Sequence, residues 1–169
     1  DNYSQIEKIA ESKKGKEVLP FPETTVALIK ANDNYVRLFP SDPKSPEVYY
    51  QRARLYYNYN HFPEAEKAFN DVITKYPNSN AANQSRHLIL DICNINKDWE
   101  KLEKTAMAYL QVKSFATEEN QVLLLDLIQG SLFQRANQTE DEKKFLEAAR
   151  LYESLTVRYP QSKYADKAF

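Results

Sequence analysis

The sequence predicts an all-α fold, an α-α superhelix built from helix pairs, and three observations carry that expectation. The first is a repeated phrase. Phe62-Pro63-Glu64-Ala65-Glu66-Lys67-Ala68-Phe69 runs on to Tyr76-Pro77-Asn78-Ser79, and Phe145-Leu146-Glu147-Ala148-Ala149-Arg150-Leu151-Tyr152 runs on to Tyr159-Pro160-Gln161-Ser162. The two copies lie 83 residues apart (145 − 62), and a weaker copy, Trp99-Glu100-Lys101-Leu102 to Ala106, starts 37 residues after the first (99 − 62). Self-similarity at such periods marks stacked repeats, each too small to bury its own apolar face. The second observation is composition: 2 Gly against 8 Pro suits helices joined by tight, proline-marked turns better than glycine-rich hairpins. The third is periodicity, since apolar residues recur at helical spacing in segment after segment.

The elements follow in order. Residues 1–22 form an ambiguous N-terminal segment: Ile6, Ile9 and Ala10 suggest a short amphipathic helix that ends at Lys13-Lys14-Gly15-Lys16, and Pro20-Phe21-Pro22 forces an extended path. Residues 23–169 form the repeat domain, expected to continue beyond both ends of the chain. Its first helix spans 23–38 and closes at Phe39-Pro40. Ser45 is placed as N-cap with Pro46 at the first helical position of a helix over 47–58, which carries Tyr49, Ala53 and Tyr56 on one side and Tyr50 and Tyr57 on another. Pro63 opens a helix to Lys75. Ser79 caps one over 80–94, Asp98 one over 99–112, and Thr117 one over 117–136 with acids in its first turn. The last helix is expected over 140–158, after an insertion near Thr139-Glu140-Asp141-Glu142-Lys143-Lys144.

Several functions are poorly served by this composition. The formal net charge of −1 lacks the basic excess that phosphate binding needs, so nucleic acid is not an expected partner. No apolar run approaches the length of a membrane span; Val122-Leu123-Leu124-Leu125 is broken by Asp126. Cys93, the sole cysteine, sits among Leu88, Ile89, Leu90 and Ile92 and reads as a small buried hydrophobe. No paired cysteines, His-Glu-x-x-His or phosphate-cradling glycine loop occurs. His87 and Asp91 are one helical turn apart, which suits half a metal site or a hydrogen-bonded pair; we expect the pair. We therefore expect no enzyme, no metal and no cofactor.

These residues resemble the tetratricopeptide repeat. Its pattern of bulky, small and aromatic residues on a first helix, then aromatic, alanine and aromatic on a second, ending in proline, is met by Tyr49, Ala53 and Tyr56, then Phe62, Ala65, Phe69, Val72 and Pro77. A second copy reads Arg86, Leu90, Cys93, then Trp99, Leu102, Ala106 and Tyr109; a third reads Gly130, Phe133, then Phe145, Ala148, Tyr152, Leu155 and Pro160. The resemblance covers about residues 25–169 and implies a right-handed solenoid. The Tyr-Pro-x-Ser endings, and Tyr35-Val36-Arg37-Leu38-Phe39-Pro40-Ser41-Asp42-Pro43 followed by Glu47-Val48-Tyr49-Tyr50-Gln51-Arg52, are similar to repeats of bacterial cell-envelope proteins, the outer-membrane-assembly lipoproteins and periplasmic coordinators. That narrower resemblance implies a periplasmic location or the periplasmic face of the outer membrane, with any lipid anchor outside this chain; the cytoplasm is the alternative.

The resemblance also implies where binding occurs, in a groove lined by the first helix of each pair. Its positions fall here on Tyr50, Arg54, Tyr57 and Asn58, then on Gln84, His87, Asp91 and Asn94, then on Leu124, Leu127, Ser131, Gln134 and Arg135. Tyr50, Arg54 and Tyr57 share one helix face and are residue types enriched at interface hot spots. Side-chain amides such as Asn58 and Gln84 both donate to and accept from a peptide backbone. The expected function is a scaffold that takes a segment of a partner protein; against it stands the reading that Tyr50 and Tyr57 only pack on the preceding helix. Two alternatives are a regulatory domain of a larger enzyme and a glycan- or peptidoglycan-binding module that stacks sugars on tyrosine.

Overall fold

The computed structural model describes residues 17–167, and the expected helix at Ile6, Ile9 and Ala10 lies outside them. Among the described residues there are seven α-helices and no strand: α1 (Glu23–Leu38), α2 (Ser45–Asn58), α3 (Phe62–Lys75), α4 (Asn80–Ile95), α5 (Trp99–Leu110), α6 (Glu118–Asp141) and α7 (Phe145–Arg158), followed by a short 3-10 turn (Ala165–Lys167). Two compact units divide at Asn96 and Lys97. In each, successive helices pack on one another, as in an α-α superhelix.

The first unit holds α1 to α4. Its core is aromatic: Tyr49, Tyr50 and Tyr57 of α2 meet Phe62, Phe69 and Val72 of α3 and Ala81, Ala82, Ile89 and Ile92 of α4. Ala53 and Ala65 are fully buried, so the helices approach closely and the rings fill the space around them. Two acids brace the outside. The Arg52 guanidinium reaches Asp33 at 2.6 Å and Asp71 at 3.4 Å, linking α1, α2 and α3.

Residues 17–22 run extended across the α2–α3 turn. The Leu19 N–H donates to the Tyr59 carbonyl at 3.0 Å, Asn60 Nδ2 donates to the Glu17 carbonyl at 3.1 Å, and His61 Nε2 meets the Leu19 carbonyl at 2.9 Å. Phe21 stacks on His61 with centroids 4.2 Å apart and presents its edge to Tyr56 and Tyr59. The strap is thus held through both backbone and ring.

The second unit holds α5 to α7. Leu124, Ile128, Leu132 and Ala136 of α6 are buried, as are Leu102 and Ala106 of α5 and Ala148 and Leu155 of α7. Glu103 is buried too, taking Arg135 at 2.9 Å and Arg158 at 3.5 Å, which ties the three helices together.

Most expected caps form. Ser79 accepts from the Ala82 N–H, Asp98 from Lys101 and Thr117 from Asn120. Ser45 does not cap: Lys44 holds that position, and the Ser45 hydroxyl donates back to the Phe39 carbonyl. The larger correction concerns α6 and α7. Helix α6 does not stop at Ala136 but continues to Asp141, and α7 starts at Phe145 rather than Glu140. Residues 137–141 contain no Gly or Pro, and Thr139 donates to the Arg135 carbonyl within the helix. Lys143, at φ 61°, then ends α6 in the left-handed region. The Lys143 N–H donates to Glu140 and the Lys144 N–H to Thr139, the paired bonds of a Schellman motif. Asn60, at φ 62°, closes α2 in the same way, with its N–H on Tyr57 and the His61 N–H on Tyr56.

The 83-residue register is therefore unbroken through both helices. No insertion lies between α6 and α7; the extra residues lengthen α6 at its start. Arg52 and Arg135, Ala53 and Ala136, Asn60 and Lys143 are paired positions.

Candidate functional site

In the first unit, α2 and α4 pack on each other and carry eight of the expected groove residues. Their burial divides them into two groups. Tyr50 and Tyr57 are buried, at 8% and 4% exposure, and their rings belong to the core. Tyr50 lies beside Phe69, and Tyr57 presents its edge to Phe62 and Phe69. Asn58 is exposed, whereas Arg54, Gln84, His87, Asp91 and Asn94 are half-buried.

One contact joins the two helices chemically. The Tyr57 hydroxyl donates to the Asp91 carboxylate, a bond between the two helices. Burial, then the Asp91 charge and its hydrogen bond, hold the Tyr57 hydroxyl well above the usual phenol range, opposed in part by Arg54. The Arg54 guanidinium sits 5.8 Å from the Tyr50 ring centroid, a cation over an aromatic face. Gln84 Oε1 is buried without a hydrogen-bond partner. The face thus offers a positioned cation, an amide and an imidazole above an aromatic floor.

Gln134 and Arg135 sit differently. In the 83-residue register they match Gln51 and Arg52, while the counterparts of Tyr50, Arg54, Tyr57 and Asn58 are Phe133, Asn137, Glu140 and Asp141. Gln134 is exposed, and Arg135 turns toward Glu103 on α5.

A feature absent from the sequence reading lies beside Arg135. The second unit has a cavity of about 460 Å³ with Trp99 and Glu100 on one wall, Arg135 and Thr139 on another, and Glu142, Lys144 and Glu147 across the α6–α7 turn. Lys144 reaches Glu142 at 2.7 Å and, with its charge, holds that carboxyl below the usual carboxylate range. Glu100, paired with Lys104 at 2.6 Å as its spacing predicts, is lowered likewise. Carrying the 83-residue register back past Phe145 into the preceding helix places Arg135, Thr139, Glu142 and Lys144 opposite Arg52, Tyr56, Tyr59 and His61, but it does not reach Trp99 or Glu100. Phe145 also departs from expectation. It is 64% exposed where Phe62 is buried, because its neighbour in the register is Glu140 rather than Tyr57.

Among the described residues, no group of three or more His, Cys, Asp or Glu side chains is placed to hold a metal ion. No helix among them is long and apolar enough to cross a membrane.

Stacked helix pairs with an aromatic core and a polar first-helix face define the class, an α-helical repeat protein of the tetratricopeptide type. Within that class, the family model described as YfiO, outer membrane lipoprotein, matches residues 42–169, and the chain belongs to this family. The match takes in α2 through α7. No curated protein and no solved structure matches the chain.

Proposed function

We propose that the protein is a non-enzymatic scaffold of the bacterial envelope, at the periplasmic face of the outer membrane, that binds a segment of another protein of its complex. Support comes from the outer membrane lipoprotein family and from the polar face that α2 and α4 share in the first unit. The observation that carries the reading is that face's make-up. Arg54, Gln84, His87 and Asn94 stand half-buried over a rigid floor of Tyr50 and Tyr57, with Asn58 exposed at its end. Half-buried donors and acceptors on stiff helices lose little entropy on binding, and extended backbone offers the matching groups.

Site-specific photo-crosslinking in the intact cell tests this. A crosslinker at Asn58 or Asn94 is expected to trap a discrete envelope protein, and Arg54→Glu is expected to reduce that product at least fivefold. A crosslinker at the exposed Asn70 of α3 serves as the control. Equal trapping from Asn70, or none from either groove position, would refute the groove reading.

A further inference from the structure

We infer that the second unit's cavity is a docking slot for an extended peptide segment bearing a lysine or arginine side chain. The first unit supplies the argument, because it holds such a segment at the matching place. Residues 17–22 cross the α2–α3 turn by bonding the Tyr59 carbonyl, the Asn60 side chain and the His61 ring, and they sink Phe21 between Tyr56, Tyr59 and His61. Subtracting 83 from Thr139, Glu142, Lys143 and Lys144 gives Tyr56, Tyr59, Asn60 and His61. The two turns share their backbone as well as their register: left-handed Asn60 and Lys143, and the same pair of closing bonds. The Glu142 carbonyl therefore stands where the Tyr59 carbonyl accepts an amide from the strap. Lys143 and Lys144 stand where Asn60 and His61 donate to it.

What differs is the filling. In the first unit the residues leading into α1 lie across the turn and Phe21 occupies the space. In the second, Lys97, at φ 55°, and Asp98 lead into α5 along the cavity wall, and no ring of the chain fills the space as Phe21 does.

The walls say which side chain would replace Phe21. Two tyrosines and a histidine have become Thr139, Glu142 and Lys144, so an aromatic ring would lose its partners there. The half-buried Trp99 supplies an aromatic face instead. Arg135 is drawn to the buried Glu103, Lys144 to Glu142 and Glu100 to Lys104, which leaves Asp98 and Glu147 against Lys97 and the wall with an excess of carboxylate. A cation with an alkyl stem, stacked on Trp99 and ending among these carboxylates, satisfies both features.

Trp99 is the sole tryptophan, so its emission reports on this cavity alone. The probes are three blocked hexapeptides of the strap sequence, Glu-Val-Leu-Pro-X-Pro, with X as Arg, Glu or Phe, titrated into the whole chain. The Arg peptide is expected to change Trp99 emission saturably and to bind at least tenfold tighter than the Glu peptide. Glu147→Gln, at an exposed position that leaves the fold intact by circular dichroism, is expected to weaken it at least threefold. Equal or tighter binding of the Glu or Phe peptide overturns the proposal, as does the absence of a saturable change at millimolar peptide. A response to di-N-acetylchitobiose without one to the peptides would overturn it in favour of a sugar site.

Discussion

The bond between Tyr57 and Asp91 joins α2 to α4 and can be tested in isolation. Tyr57→Phe removes only the hydroxyl and leaves the ring against Phe62 and Phe69. A hydrogen bond to a charged group contributes about 1.5–3 kcal/mol. Asp91 is half-buried and regains some water when the hydroxyl leaves, which favours the lower part of that range, about 1.5–2 kcal/mol. Asp91→Asn keeps an acceptor without the charge and should cost about half as much, since neutral bonds are roughly half as strong as charge-assisted ones. The double-mutant cycle should then return a coupling of about 1 kcal/mol, within the range for residues in contact. Urea denaturation of the four proteins gives each number.

A second reading of the same pair comes from pH. Folded Tyr57 holds its proton above the ordinary phenol value of 10.0, so its contribution is fully present below that pH and is lost as pH rises above it, where only the unfolded chain ionises. The stability gap between wild type and Tyr57→Phe should therefore shrink above pH 10. A coupling under about 0.3 kcal/mol, the usual error of additivity, together with a gap that does not change with pH, would refute the reasoning.

Two further perturbations address the second unit. Glu103→Gln should destabilise by about 2 kcal/mol in urea titration, because Arg135 and Arg158 lose a buried carboxylate; both arginines retain some water, so the larger loss of a fully buried pair is not expected, and a change under about 0.5 kcal/mol would count against the bridge. Lys143→Gly should stabilise by about 1 kcal/mol, read as a rise in thermal midpoint, since glycine adopts the left-handed φ of 61° without the cost a Cβ imposes.

The fold was legible where residues face other helices. Ala53, Ala65, Phe69, Val72 and Ser79 recur at 83 residues as Ala136, Ala148, Tyr152, Leu155 and Ser162, and close packing explains why their sizes stay similar. The end of α6 was not legible, because it depends on Lys143 adopting a backbone conformation that the identity of a lysine does not announce, whereas Asn60 at the paired position does favour it. The candidate groove was half legible. Helical spacing correctly put Tyr50, Arg54 and Tyr57 on one face, yet spacing alone does not say how deep a face lies; the rings of Phe62 and Phe69 decide that Tyr50 and Tyr57 form its floor. The cavity at Trp99 was hidden because its walls come from residues 97–100 and 135–147 and share no motif.

That contrast shows where function can vary in a repeat. Positions that pack helix on helix keep their size between the two strong copies, as alanine at 53 and 136, whereas the weaker copy carries Leu90 and Leu102 at the places of Ala53 and Ala65. The turn that closes each first helix is constrained only in its backbone, which the paired Schellman bonds fix at Asn60 and again at Lys143. Its side chains are therefore open to change at little cost to the fold. The first unit uses aromatic ones, Tyr56, Tyr59 and His61, to bind the chain's own strap. The second places Thr139, Glu142 and Lys144 on the same framework and leaves space beside Trp99. One backbone site, duplicated, thus holds a segment of its own chain in one copy and presents a differently charged slot in the other.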